Sequence, residues 1–483
     1  MIAQKPDWLY GRGREWDRLT EFVDTARPGS GLAIVYGRRR QGKTALLEAL
    51  VAATGAFYWQ AIEQSAAQNL DSFSQAWSVW LGESTTRAFN SWADAIAAMF
   101  DPPPDKSAVI LFDEIGYLLN VAPEVASLIQ ARLKPSDLRT GRVRLVLCGS
   151  AFSQLRDLLS GGAPLRGRAS LELVVGPFDY RTAADFWGLA TQPEAAFRLH
   201  ALVGGTPGYR MLAGGVPSHG DIESWVARRI LDPASPLFRE GRLLVAEEPA
   251  FSDRAMYWGV LGAIAEGKRR RVDIAKALQR PEPSLGFPLR ILVDGGWVEA
   301  VPDPFHPSRV TYHLTEPIIR FYRLVVEPEE GRLRRMQAEA VLQDNRARIA
   351  RQIYGPHLEW MAAEWAMAFA DGATLGGRPR FVASGVFRDR GVQHQVDLVA
   401  VEPGPTGKNV VHAIGEVKAD ANRTGLDQLE RLDAIAGRIT KDPSSEVKRL
   451  LIARAGFTAE VERLAARRTD IELVDLHRLY YGS

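Results

Sequence analysis

Gly37-Arg38-Arg39-Arg40-Gln41-Gly42-Lys43-Thr44 directly follows the apolar run Leu32-Ala33-Ile34-Val35-Tyr36 and directly precedes the helix-forming stretch Ala45-Leu46-Leu47-Glu48-Ala49-Leu50. A loop bounded by glycines and ending in Lys-Thr, between a strand and a helix, is a P-loop in the context that motif requires. The amides of Gly37, Arg38, Arg39, Arg40, Gln41, Gly42 and Ala45 are predicted to curl round a phosphate, and the N-terminus of the following helix favours the same anion. Lys43 is expected to reach the β- and γ-phosphates, and the Thr44 hydroxyl to hold Mg²⁺. Nucleotide binding, with ATP as the cofactor, is therefore the first expectation.

A phosphate cradle of this kind works with a carboxylate on a neighbouring strand. Val109-Ile110-Leu111-Phe112-Asp113-Glu114 reads as a buried parallel strand that delivers Asp113 to Mg²⁺ at its C-terminal edge. Glu114 is then positioned to orient the attacking water, which points to hydrolysis beyond binding. A third strand, Arg144-Leu145-Val146-Leu147-Cys148-Gly149-Ser150, ends in Ser150, read either as a polar sensor beside the γ-phosphate or as a helix cap.

The chain has 483 residues, enough for about three or four domains with their own cores. Its formal net charge is +2, so any contact with nucleic acid has to come from local patches. A single cysteine, Cys148, excludes an internal disulfide and argues against cysteine-based zinc. The N-terminus has no apolar targeting segment, and no apolar run approaches the length of a membrane span. The expectation is a cytoplasmic protein without a membrane partner.

Tyr10-Gly11-Arg12-Gly13-Arg14-Glu15, placed ahead of the P-loop, the Asp-Glu strand and Cys148-Gly149-Ser150, resembles the archaeal-type ATPases, a branch of the AAA-related and STAND-like P-loop ATPases. The resemblance implies that Arg14 lies near the base and ribose. Gly161-Gly162-Ala163-Pro164-Leu165-Arg166-Gly167-Arg168 is similar to the segment that presents arginine fingers across a subunit boundary. Arg166 and Arg168 are then either fingers that make hydrolysis depend on a homo-oligomer or surface ion-pair partners. Gly204-Gly205-Thr206-Pro207-Gly208-Tyr209-Arg210 looks like the element opening the family's helical lid, with Pro207 against the base and Arg210 as a second sensor.

Past Phe251 the pattern changes. Helical stripes at Val260-Leu261-Ile264-Ala265, Val272-Ile274-Ala275-Leu278 and Leu285-Leu289-Ile291-Leu292 precede Trp297–Val301 and Val310–Leu314, giving a winged-helix outline. Lys268-Arg269-Arg270-Arg271 sits between the first two helices, where it would touch DNA phosphate. A winged helix also serves as a connector, and that reading stays open. Glu327 to Arg332 reads as a hydrophilic linker. Beyond it, Asp397 in one strand and Glu416 with Lys418 in the next form a second constellation; the latter pair, two apart on a strand, project together. Carboxylates binding Mg²⁺ or Mn²⁺, with a lysine acting on water, suit phosphodiester hydrolysis. With Glu359 on the preceding helix and a helix over 426–434, the arrangement resembles the PD-(D/E)XK restriction-endonuclease-like fold, although valine precedes Asp397 where proline is the family's choice.

The expected fold class is α/β: a P-loop ATPase core (1–170), a helical lid (171–245), a winged-helix domain (246–326) and a C-terminal α/β restriction-endonuclease-like domain (334–483). The expected function is an oligomeric ATPase coupled to a metal-dependent DNA nuclease, in defence or repair. The alternative is a nucleotide-operated switch that binds DNA or partners through an inactive nuclease-like domain.

Overall fold

Apolar runs that fill both faces of a strand need cover on both sides, and in the computed structural model those of the N-terminal third lie in one parallel sheet. The structure describes residues 4–24, 29–133, 141–150, 164–217, 221–389, 391–404, 409–439 and 447–483. They fall into two compact units. The first holds residues up to Pro177 with Thr206–Gly208 and Glu248–Ser252, and the second holds the rest.

In the first unit, strands β1 (Gly31–Tyr36), β2 (Phe57–Gln60), β3 (Val109–Asp113), β4 (Arg144–Gly149) and β5 (Ala169–Val174) lie in the order β2-β3-β4-β1-β5. Every neighbouring pair is parallel. β5 carries the sheet to Val174, past residue 170, where the core was expected to end. Each face has its own core. Trp16, Leu19, Leu46 and Leu47 fill one, and Phe57, Trp59, Phe73, Trp77, Trp92 and Phe112 the other. Trp59 and Phe112 meet edge to face at 5.2 Å, which fixes the strand carrying Asp113 against its neighbour.

The second unit begins with helices where the lid was expected, among them Tyr180–Phe186, Pro193–Val203 and Ile222–Arg229. The helices and hairpin of the expected winged-helix region lie close to the sequence pattern. Helices Arg254–Ala265, Arg271–Ala277 and Gly286–Asp294 precede an antiparallel hairpin of β6 (Val298–Pro302) and β7 (Val310–Leu314). Its wing does not stand free. Asp303 accepts from the amides of Phe305, His306 and, across to the C-terminal sheet, Val386 at 3.0 Å. Gly385 is a glycine because a Cβ there would lie 2.9 Å from the Phe305 ring.

Where a hydrophilic linker was expected, the chain is helical over Glu327–Leu333. Arg332 pairs with Glu329 and Asp344, Arg334 pairs with Glu330 one turn back, and Leu333 is buried. Such pairs stabilise a polar helix that composition alone presents as loop.

The C-terminal sheet has the order β12-β11-β10-β9-β8, from β8 (Phe381–Asp389), β9 (Val392–Pro403), β10 (Asn409–Lys418), β11 (Lys448–Ala453) and β12 (Ile471–Asp475). Strands β8, β9 and β10 are antiparallel, whereas β10, β11 and β12 are parallel. The amphipathic helix Leu426–Ile439 buries Leu429, Leu432 and Ile435 between β10 and β11, and Gly355–Ala368 contributes its Leu358, Met361 and Trp365 face to the unit. The last helix, Leu476–Tyr481, is tied to the lid: Tyr180 Oη and Arg181 Nε both donate to the Leu479 carbonyl, at 2.8 and 2.9 Å.

Candidate functional sites

Gly37 must be glycine, since a Cβ there would lie 2.1 Å from the Val175 carbonyl oxygen. Within the same loop Arg40 and Gly42 take left-handed backbone, with φ of 66° and 86°. The left-handed Arg40 is held from outside: its carbonyl accepts the Gly208 amide at 3.0 Å, and a Cβ on Gly208 would come within 2.6 Å of Arg40 Cβ. Pro207 lies beside Gly42. Pro207 and Gly208 therefore touch the phosphate loop.

Lys43 is buried and its Nζ donates to the Gly37 and Arg38 carbonyls at 2.7 and 3.0 Å. The ammonium is thus folded into the loop, on two of its carbonyls. Arg38 and Gln41 are also buried, and Arg39 donates to the Tyr117 hydroxyl at 2.9 Å. Thr44 Oγ1 donates to Asp113 Oδ2 at 3.1 Å, which brings together the pair expected at Mg²⁺. Asp113 is wholly buried, and its second oxygen accepts the Glu114 amide at 2.9 Å.

Glu114 has φ of 48°, a conformation few side chains other than glycine adopt, at the start of the Ile115–Val121 helix. Its Oε2 accepts from both the amide and the hydroxyl of Ser150, at 3.1 and 2.8 Å. Strain of this sort gathers at functional sites, where the surroundings hold the residue in place. Glu114 and Ser150, expected as base and sensor, are therefore joined directly.

Two residues of this site went unread. Tyr58 on β2 donates its hydroxyl to Asp113 Oδ2 at 3.1 Å, and burial with the Asp113 charge pushes the phenol well above its usual range. Arg12, buried at the N-cap of the first helix, donates to the carbonyls of Gln41 and Gly176, both at 2.7 Å. Arg14, expected near the base and ribose, is exposed. Arg12 instead braces the loop. Ala45 continues the helix from Lys43.

Gly161–Ala163 fall outside the described residues. Arg168 donates to the Leu133 carbonyl at 3.2 Å within its own unit, and Arg166 is exposed. Arg210 belongs to the second unit, where it donates to the Phe186 carbonyl at 2.5 Å and lies over that ring.

The C-terminal constellation assembles on adjacent strands. The β9–β10 register pairs Leu398 with Gly415, which sets Asp397 beside Glu416. Asp397 Oδ2 accepts the Val417 amide at 3.1 Å, and its carboxyl is pushed up to about 6, first by burial and then by the Glu416 charge. Glu416 is buried; Lys418 Nζ donates to its Oε1 at 2.6 Å, and Arg431, on the following helix, pairs with its Oε2. Glu359 is held by Arg269 at 3.1 Å, which takes the second member of the basic run away from any external phosphate. Arg270 and Arg271 are likewise paired, with Asp273 and Glu282. No group of three or more acidic or histidine side chains that could hold a metal ion occurs among the described residues. What fits a divalent cation here is a pair of carboxylates whose charge is met by Lys418 and Arg431.

Among the described residues no helix is long and apolar enough to cross a membrane. Residues 9–209 match the family model described as "ATPase domain predominantly from Archaea". An uncharacterised protein of Methanocaldococcus jannaschii, MJECL04, is 26% identical over 329 residues, 66% of this chain and 70% of that one. The Walker-type ATPase PABY2304 of Pyrococcus abyssi is 21% identical, with a TM-score of 0.51 over 67% of this chain and 98% of that one. The Aeropyrum pernix ORC2 protein, solved as ADPNP–ADP complexes, is 16% identical with a TM-score of 0.45, covering 72% and 98%. With the P-loop, the Asp-Glu strand and the parallel sheet in place, residues 9–209 are similar to an ATPase domain of the archaeal type.

Proposed function

We propose that this protein binds ATP with Mg²⁺ and hydrolyses it at the P-loop, works as a homo-oligomer on DNA, and cuts phosphodiesters with its C-terminal domain. The observation that carries the ATPase reading is the continuous chain of contacts from Thr44 through Asp113 and Glu114 to Ser150. Thr44 and Asp113 would hold Mg²⁺, which when bound neutralises charge on the β- and γ-phosphates. Lys43 leaves the Gly37 and Arg38 carbonyls for phosphate oxygens. The Ser150 hydroxyl turns to the γ-phosphate, freeing Glu114 to orient water and accept its proton.

Lys43→Ala should lose nucleotide affinity. Glu114→Gln should keep binding and lose turnover by about 10²- to 10⁴-fold, the range for removing a positioned base. Nucleotide binding measured by fluorescence beside phosphate release separates the two, and wild-type turnover in Glu114→Gln would remove the base from Glu114.

The nuclease part rests on Asp397, Glu416 and Lys418 converging on adjacent strands. Asp397 and Glu416 would hold Mg²⁺ or Mn²⁺, and Lys418 would act on the attacking water. Asp397→Ala should abolish cleavage of linear, branched or single-stranded DNA while leaving ATP hydrolysis intact. If the wild-type chain cuts none of these in any nucleotide state, the better reading is a nucleotide-operated switch. DNA contact finds support in the exposed face of the third winged-helix helix, which presents Phe287 and Arg290.

A further inference from the structure

The Leu426–Ile439 helix places Arg431 over the two strands that carry the phosphodiester site. One end of its guanidinium pairs with Glu416 Oε2, and Nη2 donates to the Gln395 carbonyl at 2.6 Å, two residues before Asp397 on β9. Lys418 already takes the other oxygen of Glu416. Glu416 thus has a cation on each oxygen, while Asp397 beside it holds none directly. Burial leaves Glu416 only 3% exposed, while the Arg431 side chain is 39% exposed, so the arginine enters from the solvent side.

A guanidinium carries five donors in a planar fork. Arg431 uses Nη1 on Glu416 and Nη2 on Gln395, leaving donors directed toward water. Spare donors in a fixed fork beside a carboxylate pair match a phosphate oxygen better than a second carboxylate oxygen does. The same cation blocks the oxygen that a metal would need. Both facts are explained if Arg431 has two acceptors and exchanges them.

We propose that Arg431 is a phosphate-binding residue of the C-terminal site, held on Glu416 in the metal-free chain and passed to the phosphodiester backbone of the substrate when a divalent cation takes that carboxylate. This rests on the nuclease-type reading of Asp397, Glu416 and Lys418. It makes metal and arginine competitors for one oxygen, and arginine and metal partners on the substrate.

The test uses the full chain. Mn²⁺ is titrated calorimetrically without nucleotide, with Asp397→Asn as the reference that isolates this site. Arg431→Met should bind Mn²⁺ about tenfold tighter than wild type, because a charge-assisted hydrogen bond no longer has to be broken first. In Ca²⁺, a labelled DNA duplex read by anisotropy should bind Arg431→Met about tenfold more weakly, with a salt slope shallower by about 0.9. Arg431→Gln repeats both measurements should the methionine variant fail to fold. A purely structural arginine would not move the two affinities in opposite directions. Unchanged or weaker Mn²⁺ binding in the variants, or unchanged DNA affinity, overturns the exchange while leaving the site standing. If no protein, wild type included, shows Mn²⁺ binding that depends on Asp397, the site reading itself falls, and the exchange with it.

Discussion

Asp113 shows how far a single buried carboxylate organises its surroundings. It is wholly buried, yet its Oδ2 accepts two hydroxyls, from Thr44 and Tyr58, and its Oδ1 accepts the next amide. Removing the Tyr58 hydroxyl would leave that charge short of a donor where no water replaces it, so Tyr58→Phe should cost about 1.5–3 kcal/mol. Thermal melts of the nucleotide-free protein would show it, and an unchanged midpoint would mean Tyr58 is not a partner that matters. The P-loop, Asp113 and Glu114 were legible because loop and strand chemistry is written in consecutive residues. Tyr58 was not, because its partner lies 55 residues away and Phe57-Tyr58-Trp59 reads only as apolar strand. Arg12 and Arg14 differ by helix geometry: the N-cap side chain turns back to the loop carbonyls, while two positions on the chain faces solvent.

At the scale of elements, the lid helix Pro193–Val203 and the helix Gly355–Ala368 are joined by a pair of buried histidines, with His200 Nδ1 2.9 Å from His357 Nε2 and Trp360 stacked on both rings. Burial lowers His200 to about 4 and holds His357 well below its usual range. Unfolded imidazoles take up protons near 6.5, so the folded state loses stability as pH falls from there toward 4, by about 1.4 kcal/mol per pH unit for each ring. Melts between pH 7 and 4.5 should record this fall, and His200→Leu should make it shallower. An equally steep fall in the variant would acquit His200. The strands and the winged helix were legible because periods of 2 and 3.6 are written locally. The helix over Glu327–Leu333 was not, since its stability comes from ion pairs at helical spacing that composition shows only as polarity. The wing's attachment through Asp303 to Val386 was equally invisible. In the C-terminal sheet, the pairing of Glu416 with Lys418 was readable from strand spacing, whereas Arg431 reaches Glu416 from 15 residues away along another element.

For the whole molecule, the question left by the sequence is assembly. If Arg166 or Arg168 completes a neighbour's site, specific ATPase activity should rise with protein concentration, and mixing Arg168→Ala with Lys43→Ala should restore activity that neither has alone. Turnover independent of concentration in a chain shown to be monomeric by light scattering would remove the trans arginine. Within the second unit, distant parts of the chain meet: Tyr180 and Arg181 find their shared acceptor, the Leu479 carbonyl, 299 and 298 residues later. At ribosomal speeds of about 5–20 residues per second, that interval lasts roughly 15 to 60 s. Throughout it, the face of Tyr180 that Tyr480 later covers stays open. Synthesis of this protein thus includes a long, exposed wait that a chain built from local contacts would never face, and its yield in a cell should depend on chaperone supply more than its finished stability suggests.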